Sequence, residues 1–308
     1  MLIIINVLRG ALIGVAEVIP GVSGGTVALI VGLYRRFVDA GADVVLAARR
    51  LLTGPRSAAW PLIRGLPWGM LLPVAVGMGA AVIIGARVIE PLLATQPVAM
   101  RALFFGLVAA GIAVPWTILR HARPGGVGWR EWGLILLAAI AAAWLTGLPP
   151  GEVIDPPMPV VFIAAAAAVC ALALPGVSGS FLLLSVGLYE PTIAAVNDLN
   201  LGYLAVFALG AIAGLAAFVS VLRWLLERHV RLTMAVIVGL MAGSLRALWP
   251  WQDDDRMLRA PSSDVLLAIA LAGVGVLVVV VLLWAERRLH LTEEEAELGS
   301  PAGGEATR

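Results

Sequence analysis

The stretch PGVSGGTVALIVGLY at residues 20–34 occurs a second time as PGVSGSFLLLSVGLY at residues 175–189. The two copies are identical at ten of fifteen positions and lie 155 residues apart. Later in the chain the offset falls to 133, where Gly77 matches Gly210 and Gly106 matches Gly239. A longer connection after the first copy accounts for this change. The chain is therefore an internal duplication.

The composition places this duplication in a membrane. Of 308 residues, 61% are hydrophobic and 13% are charged, which is too little polar surface for a soluble domain of this length. Apolar runs long enough to cross about 30 Å of hydrocarbon as helices recur along the chain. The six predicted crossings are 69–90, 98–118, 132–148, 203–226, 232–248 and 264–284.

The repeated motif itself predicts a re-entrant hairpin. About eleven residues precede it from Arg9, and about nine follow from Thr26 to Tyr34. At 1.5 Å per residue, each piece reaches only halfway across the bilayer as a helix. The proline and the glycines between the pieces interrupt the helix. We predict hairpins at 9–34 and 160–190, with tips near the midplane, where surrounding protein or a water-filled cavity satisfies bare backbone.

A hairpin returns to its starting side, so each half would cross the membrane a net three times and the halves would point in opposite directions. The fold class predicted is an all-α polytopic membrane protein with an inverted repeat, each half a re-entrant hairpin plus three transmembrane helices. The first half comprises 1–131, with hairpin 1 and two crossings, and its third crossing at 132–148. The second half is 159–285, and the tail 286–308 is predicted to be disordered.

Arginines set the predicted orientation, because positive charge accumulates on the cytoplasmic side. The outer loops carry Arg256 and Arg259 among acidic residues. The proposed inner side carries Arg35, Arg36, Arg49, Arg50, Arg56, Arg64, Arg120, Arg123, Arg130, Arg228, Arg231, Arg287 and Arg288. Both termini are predicted to be cytoplasmic. The segment 35–52 has one apolar helical face, which suits a helix lying in the interface, and the role of the arginine-rich connection 35–68 is unassigned.

Each hairpin tip offers backbone amides, one hydroxyl (Ser23 or Ser178) and the N-terminal end of the next half-helix. Exposed N–H groups and the positive end of a helix favour anions. Two such tips that meet near the midplane predict a site for a phosphate or a carboxylate. The alternative is that glycine and serine only allow close helix packing.

Charged residues near the motifs extend this prediction. Glu17 lies inside an apolar stretch, where a carboxylate is costly and suggests proton coupling or a cationic partner. Its alternative role is to cap local backbone or pair with Arg9. Arg101 and Arg246 fall toward the outer helix ends, where arginine could bind phosphate bidentately or only reach the interface. Arg9 is the candidate for the inner side.

Several functions find no support in the sequence. The histidines and Cys170 show no metal-ligand spacing, and no nucleotide-binding loop or catalytic elbow is present. We therefore expect no cofactor, no metal, no nucleic-acid partner and no catalytic residue. The partners expected are the membrane and an anionic lipid, and a homodimer is left open.

Three stretches resemble the bacterial polyprenyl-phosphate transporter family: GVAEVIPGVSGGTVALIVGLY at 14–34, LPGVSGSFLLLSVGLYEPTIAAV at 174–196 and VGLMAGSLRALWPW at 238–251. The resemblance implies a flippase that returns undecaprenyl phosphate across the bacterial cytoplasmic membrane for reuse of the lipid carrier. Glu17 adds the hypothesis that this transport is coupled to protons or another ion. The site residues it implies are Glu17, Pro20, Gly21, Ser23, Gly24, Gly25, Thr26, Pro175, Gly176, Ser178, Gly179, Ser180, Ser244 and Arg246.

A rival interpretation is an enzyme. The two motifs also resemble hairpins of the membrane undecaprenyl-diphosphate phosphatases, which use a second glutamate, a histidine and an arginine. The matching positions here are Ile13, Thr26 and Gly179. We therefore expect a scaffold that binds the headgroup without hydrolysing it. A transporter of small anions that reuses the hairpins is a further alternative.

Overall fold

A computed structural model describes residues 2–19, 22–54, 56–122, 126–149, 151, 153–253, 255–262 and 264–299. These residues form α-helices and no β-strand. The helices of the first half are α1 (Leu2–Glu17), α2 (Gly24–Ile30), α3 (Tyr34–Thr53), α4 (Trp60–Gly65), α5 (Trp68–Thr95), α6 (Pro97–Gly111), α7 (Ala113–His121) and α8 (Trp129–Leu145). Those of the second half are α9 (Met158–Ala173), α10 (Gly179–Ser185), α11 (Tyr189–Asn197), α12 (Leu201–Arg228), α13 (Val230–Ser244) and α14 (Val265–Gly299).

Five stretches of helix are long and apolar enough to span a membrane: Trp68–Leu93, Pro97–His121, Leu201–Arg228, Val230–Leu248 and Val265–Ala285. They coincide with five of the six predicted crossings. Their outward faces are apolar, with Ile212 and Leu266 largely exposed, which is unfavourable in water and suits contact with lipid. The prediction of an all-α multi-pass membrane protein is confirmed.

The remaining predicted crossing, 132–148, forms α8, whose 17 residues reach about 25 Å. The chain leaves this helix at Thr146 because Gly147 and Pro149 follow, and neither favours its continuation. Another short pair, α10 and α11, meets at an angle of 107°, the geometry of a broken span or a re-entrant loop. The described chain thus has five full spans, or six if the bent pair crosses.

Helix packing repeats between the halves. The α1–α5 contact of the first half recurs as α9–α12 in the second, and α6 packs on α14 as α13 packs on α8. Gly77 meets the carbonyl of Val7, and its match Gly210 meets the carbonyl of Phe162, which lies 155 residues after Val7. The packing therefore follows the sequence repeat, and its central core includes Ile30, Ile237 and Met241.

The segment predicted to lie in the interface is helical as α3 and is not one of the long apolar spans. It packs on α12, where Gly41 faces Val219. Arg223 of α12 pairs with Asp43 at 2.7 Å and with Asp39 at 3.6 Å. The acidic residues of α3 therefore attach it to the bundle.

The far end of the chain differs from the expected boundary. Helix α14 continues past residue 286 to Gly299, whereas disorder was predicted from 286, and residues 300–308 lie outside the described part of the chain. The bounds of the two halves, their opposite orientation, the disorder of residues 300–308 and the depth of α3 remain predictions.

Candidate functional site

Both motifs interrupt a helix, as predicted. The first limb of hairpin 1 is α1, which starts at Leu2 and is longer than the predicted limb from Arg9. In hairpin 1, Gly24 of α2 lies against the Glu17 carboxyl, and in hairpin 2 Gly179 of α10 lies against the carbonyl of Ala168. The second limb of each hairpin therefore packs against the first. Pro20 and Gly21, both predicted site residues, lie outside the described residues.

The two hairpins touch each other directly. The Ser23 hydroxyl donates to the carbonyl of Leu174 at 3.2 Å, and the N–H of Gly176 donates to Thr26 Oγ1 at 2.8 Å. The Tyr34 hydroxyl donates to the carbonyl of Ala173 at 3.0 Å. We call these three hydrogen bonds the hairpin junction. The prediction that the two tips meet thus agrees with the geometry.

The amides of hairpin 2 are less open than the sequence suggested. Besides Gly176, the N–H of Phe181 is paired, since it donates to Ser178 Oγ at 3.4 Å. Ser178 also lies 3.0 Å from Ser180. The free amide predicted at the tip is thus wrong for Gly176 in this conformation, because buried N–H groups find partners within the protein.

Glu17 lies at the end of α1, where its carboxyl accepts a hydrogen bond from the N–H of Gly24. A Cβ at Gly24 would overlap this carboxyl. The contact caps the start of α2, which is the structural role considered for Glu17. Leu172, the repeat counterpart of Glu17, is 38% exposed and cannot accept a hydrogen bond through its side chain.

A cavity of about 340 Å³ lies between the hairpins and one end of the bundle. Hairpin 1 contributes Ile19 and hairpin 2 contributes Phe181 and Leu184. We call it the arginine cavity, and its full lining is Ile19, Leu93, Pro97, Arg101, Phe104, Phe181, Leu184, Ala247, Leu248, Gln252, Asp253 and Arg256. Its wall is mostly apolar, with two arginines among the lining side chains.

Arg256 is held in the cavity wall by several contacts. It is 8% exposed, and its Nη1 donates to the carbonyl of Leu148 at 2.8 Å and to Ser185 Oγ at 3.1 Å. Its guanidinium lies 4.1 Å from the centre of the Phe181 ring, a cation–π contact with hairpin 2. Burial, and to a lesser extent the neighbouring Arg246, lowers the pKa of Arg256 below its ordinary value. Arginine nevertheless remains charged at neutral pH.

Arg246 lies directly behind Arg256. Its Nη2 donates to the backbone carbonyl of Arg256 at 3.3 Å, and its buried Nη1 has no hydrogen-bond partner among the described residues. The carboxylate in the cavity wall, Asp253, is held by Arg259 at 2.7 Å. The N–H of Met257 and this guanidinium keep the pKa of Asp253 below its ordinary value. With this carboxylate paired, the buried Arg256 and the half-buried Arg246 next to it place positive charge at the cavity.

The other predicted residues are distributed around this site. Arg101 lines the cavity, whereas Arg9 lies on α1 outside its lining. Ser244 is buried, and its hydroxyl donates to the carbonyl of Met241 at 2.9 Å, so its hydrogen bond lies within α13. Gly25 fits close to Ser23 and the end of α9. Thus Arg101 lines the cavity and Arg246 lies next to it through its bond to Arg256, whereas Ser23, Thr26 and Gly176 meet at the hairpin junction.

Two contributors were missed from the sequence. Arg256 follows three aspartates at 253–255 and was counted only as loop charge. Tyr34 closes the first repeated motif, and its match Tyr189 closes the second, which was a usable signal. Neither the burial of Arg256 nor the bond from Tyr34 to hairpin 2 follows from local sequence.

The fold and the site together define a multi-pass α-helical membrane protein with a cationic, mostly apolar cavity beside two helical hairpins. Residues 13–265 match the family described as undecaprenyl phosphate translocase-like. The chain belongs to this family, as its resemblance indicated.

Named relatives agree with the family match. The chain is 34% identical over 252 residues to the polyprenyl-phosphate transporter of Vibrio cholerae, covering 80% of this chain and 77% of the relative. It is 28% identical over 261 residues to the polyprenyl-phosphate transporter of Staphylococcus aureus, covering 80% and 86%. No solved structure gives a significant match.

Proposed function

We propose that this chain is a flippase that moves polyprenyl phosphate, undecaprenyl phosphate in particular, across the bacterial cytoplasmic membrane. The transported lipid would be a carrier returned for reuse, and both termini of the protein would face the cytoplasm. The observation that carries the proposal is the buried Arg256 in the wall of a cavity shared by the two hairpins, with the half-buried Arg246 bonded to its backbone carbonyl. The family match and the names of the relatives support the choice of lipid.

The proposed mechanism separates the two parts of the lipid. The phosphate binds the guanidinium groups of Arg101, Arg246 and Arg256, since arginine binds phosphate bidentately. The polyprenyl tail stays in the bilayer, because removing it would expose a long apolar chain. The hydroxyls and amides of the hairpin junction exchange their present partners for the phosphate as it passes, which keeps buried donors paired.

Transport can be tested with the purified protein in liposomes that contain undecaprenyl phosphate. We expect the protein to move the lipid between leaflets, measured by the fraction accessible to an external phosphatase over time. Equal rates with and without the protein would contradict the proposal. Release of phosphate from undecaprenyl diphosphate by the protein would instead favour the phosphatase, and uptake of phosphate ions insensitive to the lipid would favour a small-anion transporter.

Glu17 is proposed to couple transport to protons, because it is an acidic side chain inside hairpin 1 that already contacts the tip of that hairpin. Glu17→Gln keeps a carbonyl oxygen for the N–H of Gly24 but cannot exchange a proton. We expect this variant to retain lipid binding. The increase in transport rate that a pH gradient produces should be at least about tenfold smaller than in the unmodified protein, equivalent to about 1.4 kcal/mol. Rates are compared with and without the gradient.

The control for Glu17 is Glu190→Gln, which removes an exposed carboxylate that lines neither the junction nor the arginine cavity. This control should respond to the gradient as the unmodified protein does. A Glu17→Gln variant with an unchanged response would restrict Glu17 to capping α2.

A further inference from the structure

A second depression lies where α8 starts and α12 meets α13. Its volume is about 630 Å³. We call it the second cavity, and it is lined by Ala122, Gly126, Gly128, Trp129, Arg130, Glu131, Arg228, His229, Val230, Arg231 and Leu232. None of these residues belongs to the hairpins, and the site described above does not use them.

The internal repeat relates the second cavity to the arginine cavity. The arginine cavity is built from the α5–α6 turn, 93–101, and the segment after α13, 247–256. At the offset of 133, these segments match 226–234 and 114–123. The second cavity uses 228–232 and begins at Ala122, so it is formed by the counterparts of the same two segments and by the residues that follow. Arg123, which matches Arg256, lies outside the described residues.

The two cavities lie at opposite ends of the spans. The span Pro97–His121 begins in the arginine cavity and ends beside Ala122 of the second cavity. The span Val230–Leu248 begins in the second cavity and ends in the arginine cavity. A helix of 25 residues is about 37 Å long, enough to cross the hydrocarbon layer. The two cavities therefore open toward opposite membrane faces, and these matched spans run in opposite directions.

The charges of the two cavities follow one pattern. In each wall one carboxylate is held by an arginine: Asp253 by Arg259 in the arginine cavity, and Glu131 by Arg231 at 2.9 Å in the second. The backbone N–H of Glu131 and the charge of Arg231 lower the pKa of this carboxyl. Because Glu131 is neutralised in this way, the remaining arginines give the wall of the second cavity a positive charge. In the second cavity these are Arg130 and Arg228, both exposed.

Indole rings surround the second cavity. Trp129 lines it and is 80% exposed, Trp132 follows one turn later at 53%, and Trp224 packs on His229 and is 51% exposed. Exposed tryptophans on a membrane protein concentrate at the level of the lipid headgroups. The cavity thus opens where the phosphate of a membrane lipid lies.

We propose that the second cavity is a binding site for the phosphomonoester headgroup of a polyprenyl lipid on the membrane face opposite the arginine cavity. This inference rests on the proposed function and extends it, since it assigns one headgroup site to each leaflet. Arg130 and Arg228 supply the positive charge. Arg231 bonds to Glu131 and to the carbonyl of Gly126, and so fixes this part of the cavity wall. The tail remains in the bilayer beside the exposed indoles.

The experiment counts undecaprenyl phosphate molecules bound to the detergent-solubilised full chain by native mass spectrometry. The unmodified protein is expected to bind two. The double variant Arg130→Gln/Arg228→Gln is expected to bind one, with affinity at the second site lowered at least about tenfold, because two charge-assisted contacts are lost. Arg56→Gln/Arg64→Gln removes two exposed arginines elsewhere and should still bind two. A tenfold excess of phosphatidylglycerol should not displace the second lipid.

Three results would overturn the second site: a single lipid on the unmodified protein, equal binding by the two double variants, or displacement by phosphatidylglycerol, which would assign the cavity to bulk anionic lipid. Failure of the proposed function looks different, because the unmodified protein would then move no undecaprenyl phosphate in liposomes. If it moves the lipid and the Arg130/Arg228 variant behaves as the Arg56/Arg64 variant, only the second site is lost.

Discussion

Arg256→Gln is expected to lower the affinity for undecaprenyl phosphate about 10- to 100-fold and to reduce its transport to a similar extent. Hydrogen bonds to charged groups contribute about 1.5–3 kcal/mol, and each 1.4 kcal/mol is tenfold in affinity. Arg256 is the arginine of the cavity wall that also contacts hairpin 2, through Ser185 and Phe181. Glutamine removes the charge, the bidentate geometry and the contact with the ring.

Two substitutions control this result. Arg256→Lys retains the charge but not the planar, forked donor group, and should have intermediate affinity. Arg64→Gln removes an exposed arginine outside both cavities and should leave binding unchanged. Because Arg256 also holds the carbonyl of Leu148, thermal unfolding of each variant in detergent is measured beside lipid binding. A folded Arg256→Gln protein with unchanged affinity would exclude this arginine from the headgroup site.

The sequence predicted the architecture well because its signals are local. Length and hydropathy place five spans, and the proline and glycines of the repeated motif end α1 and α9 at Glu17 and Ala173. The first limb of hairpin 1 and the crossing at 132–148 had incorrect ends. An apolar run does not reveal where a helix starts within it, and the turn at Gly147 stops α8 early.

The candidate site was predicted only in part, for physical reasons. Arg101 and Arg246 could be placed near one membrane face because they lie toward predicted helix ends. Arg101 lines the arginine cavity, and Arg246 bonds to the backbone carbonyl of Arg256 in its wall. The position of Arg256 could not be predicted, since its burial arises from contacts with Ser185 and Leu148, which lie 71 and 108 positions away in the sequence. The pairing of Gly176 with Thr26 spans 150 residues, so local sequence could not show that this amide is occupied.

Gly176→Ala is expected to destabilise the protein by about 3 kcal/mol and to abolish transport. Gly176 has φ of +88°, and a Cβ there would lie 2.6 Å from the backbone nitrogen of Met241. A residue with a Cβ pays about 1–2 kcal/mol in this left-handed region, and overpacking against backbone costs a further ~1–3 kcal/mol. Any shift that relieves the overlap also moves the N–H of Gly176 away from Thr26 and opens the hairpin junction.

Other glycines separate the two costs of that substitution. Gly126 has φ of +78° with open space around its Cα, so Gly126→Ala reports the conformational cost alone, by thermal unfolding. Gly133 is helical with open space, so Gly133→Ala should be neutral or slightly stabilising. If Gly176→Ala lowers the stability no more than Gly126→Ala does, the tip of hairpin 2 is not tightly packed against α13 and can move freely. A loss of stability well above that of Gly126→Ala means instead that hairpin 2 is tightly packed against α13. Passage of the headgroup then requires α13 to move with the hairpin.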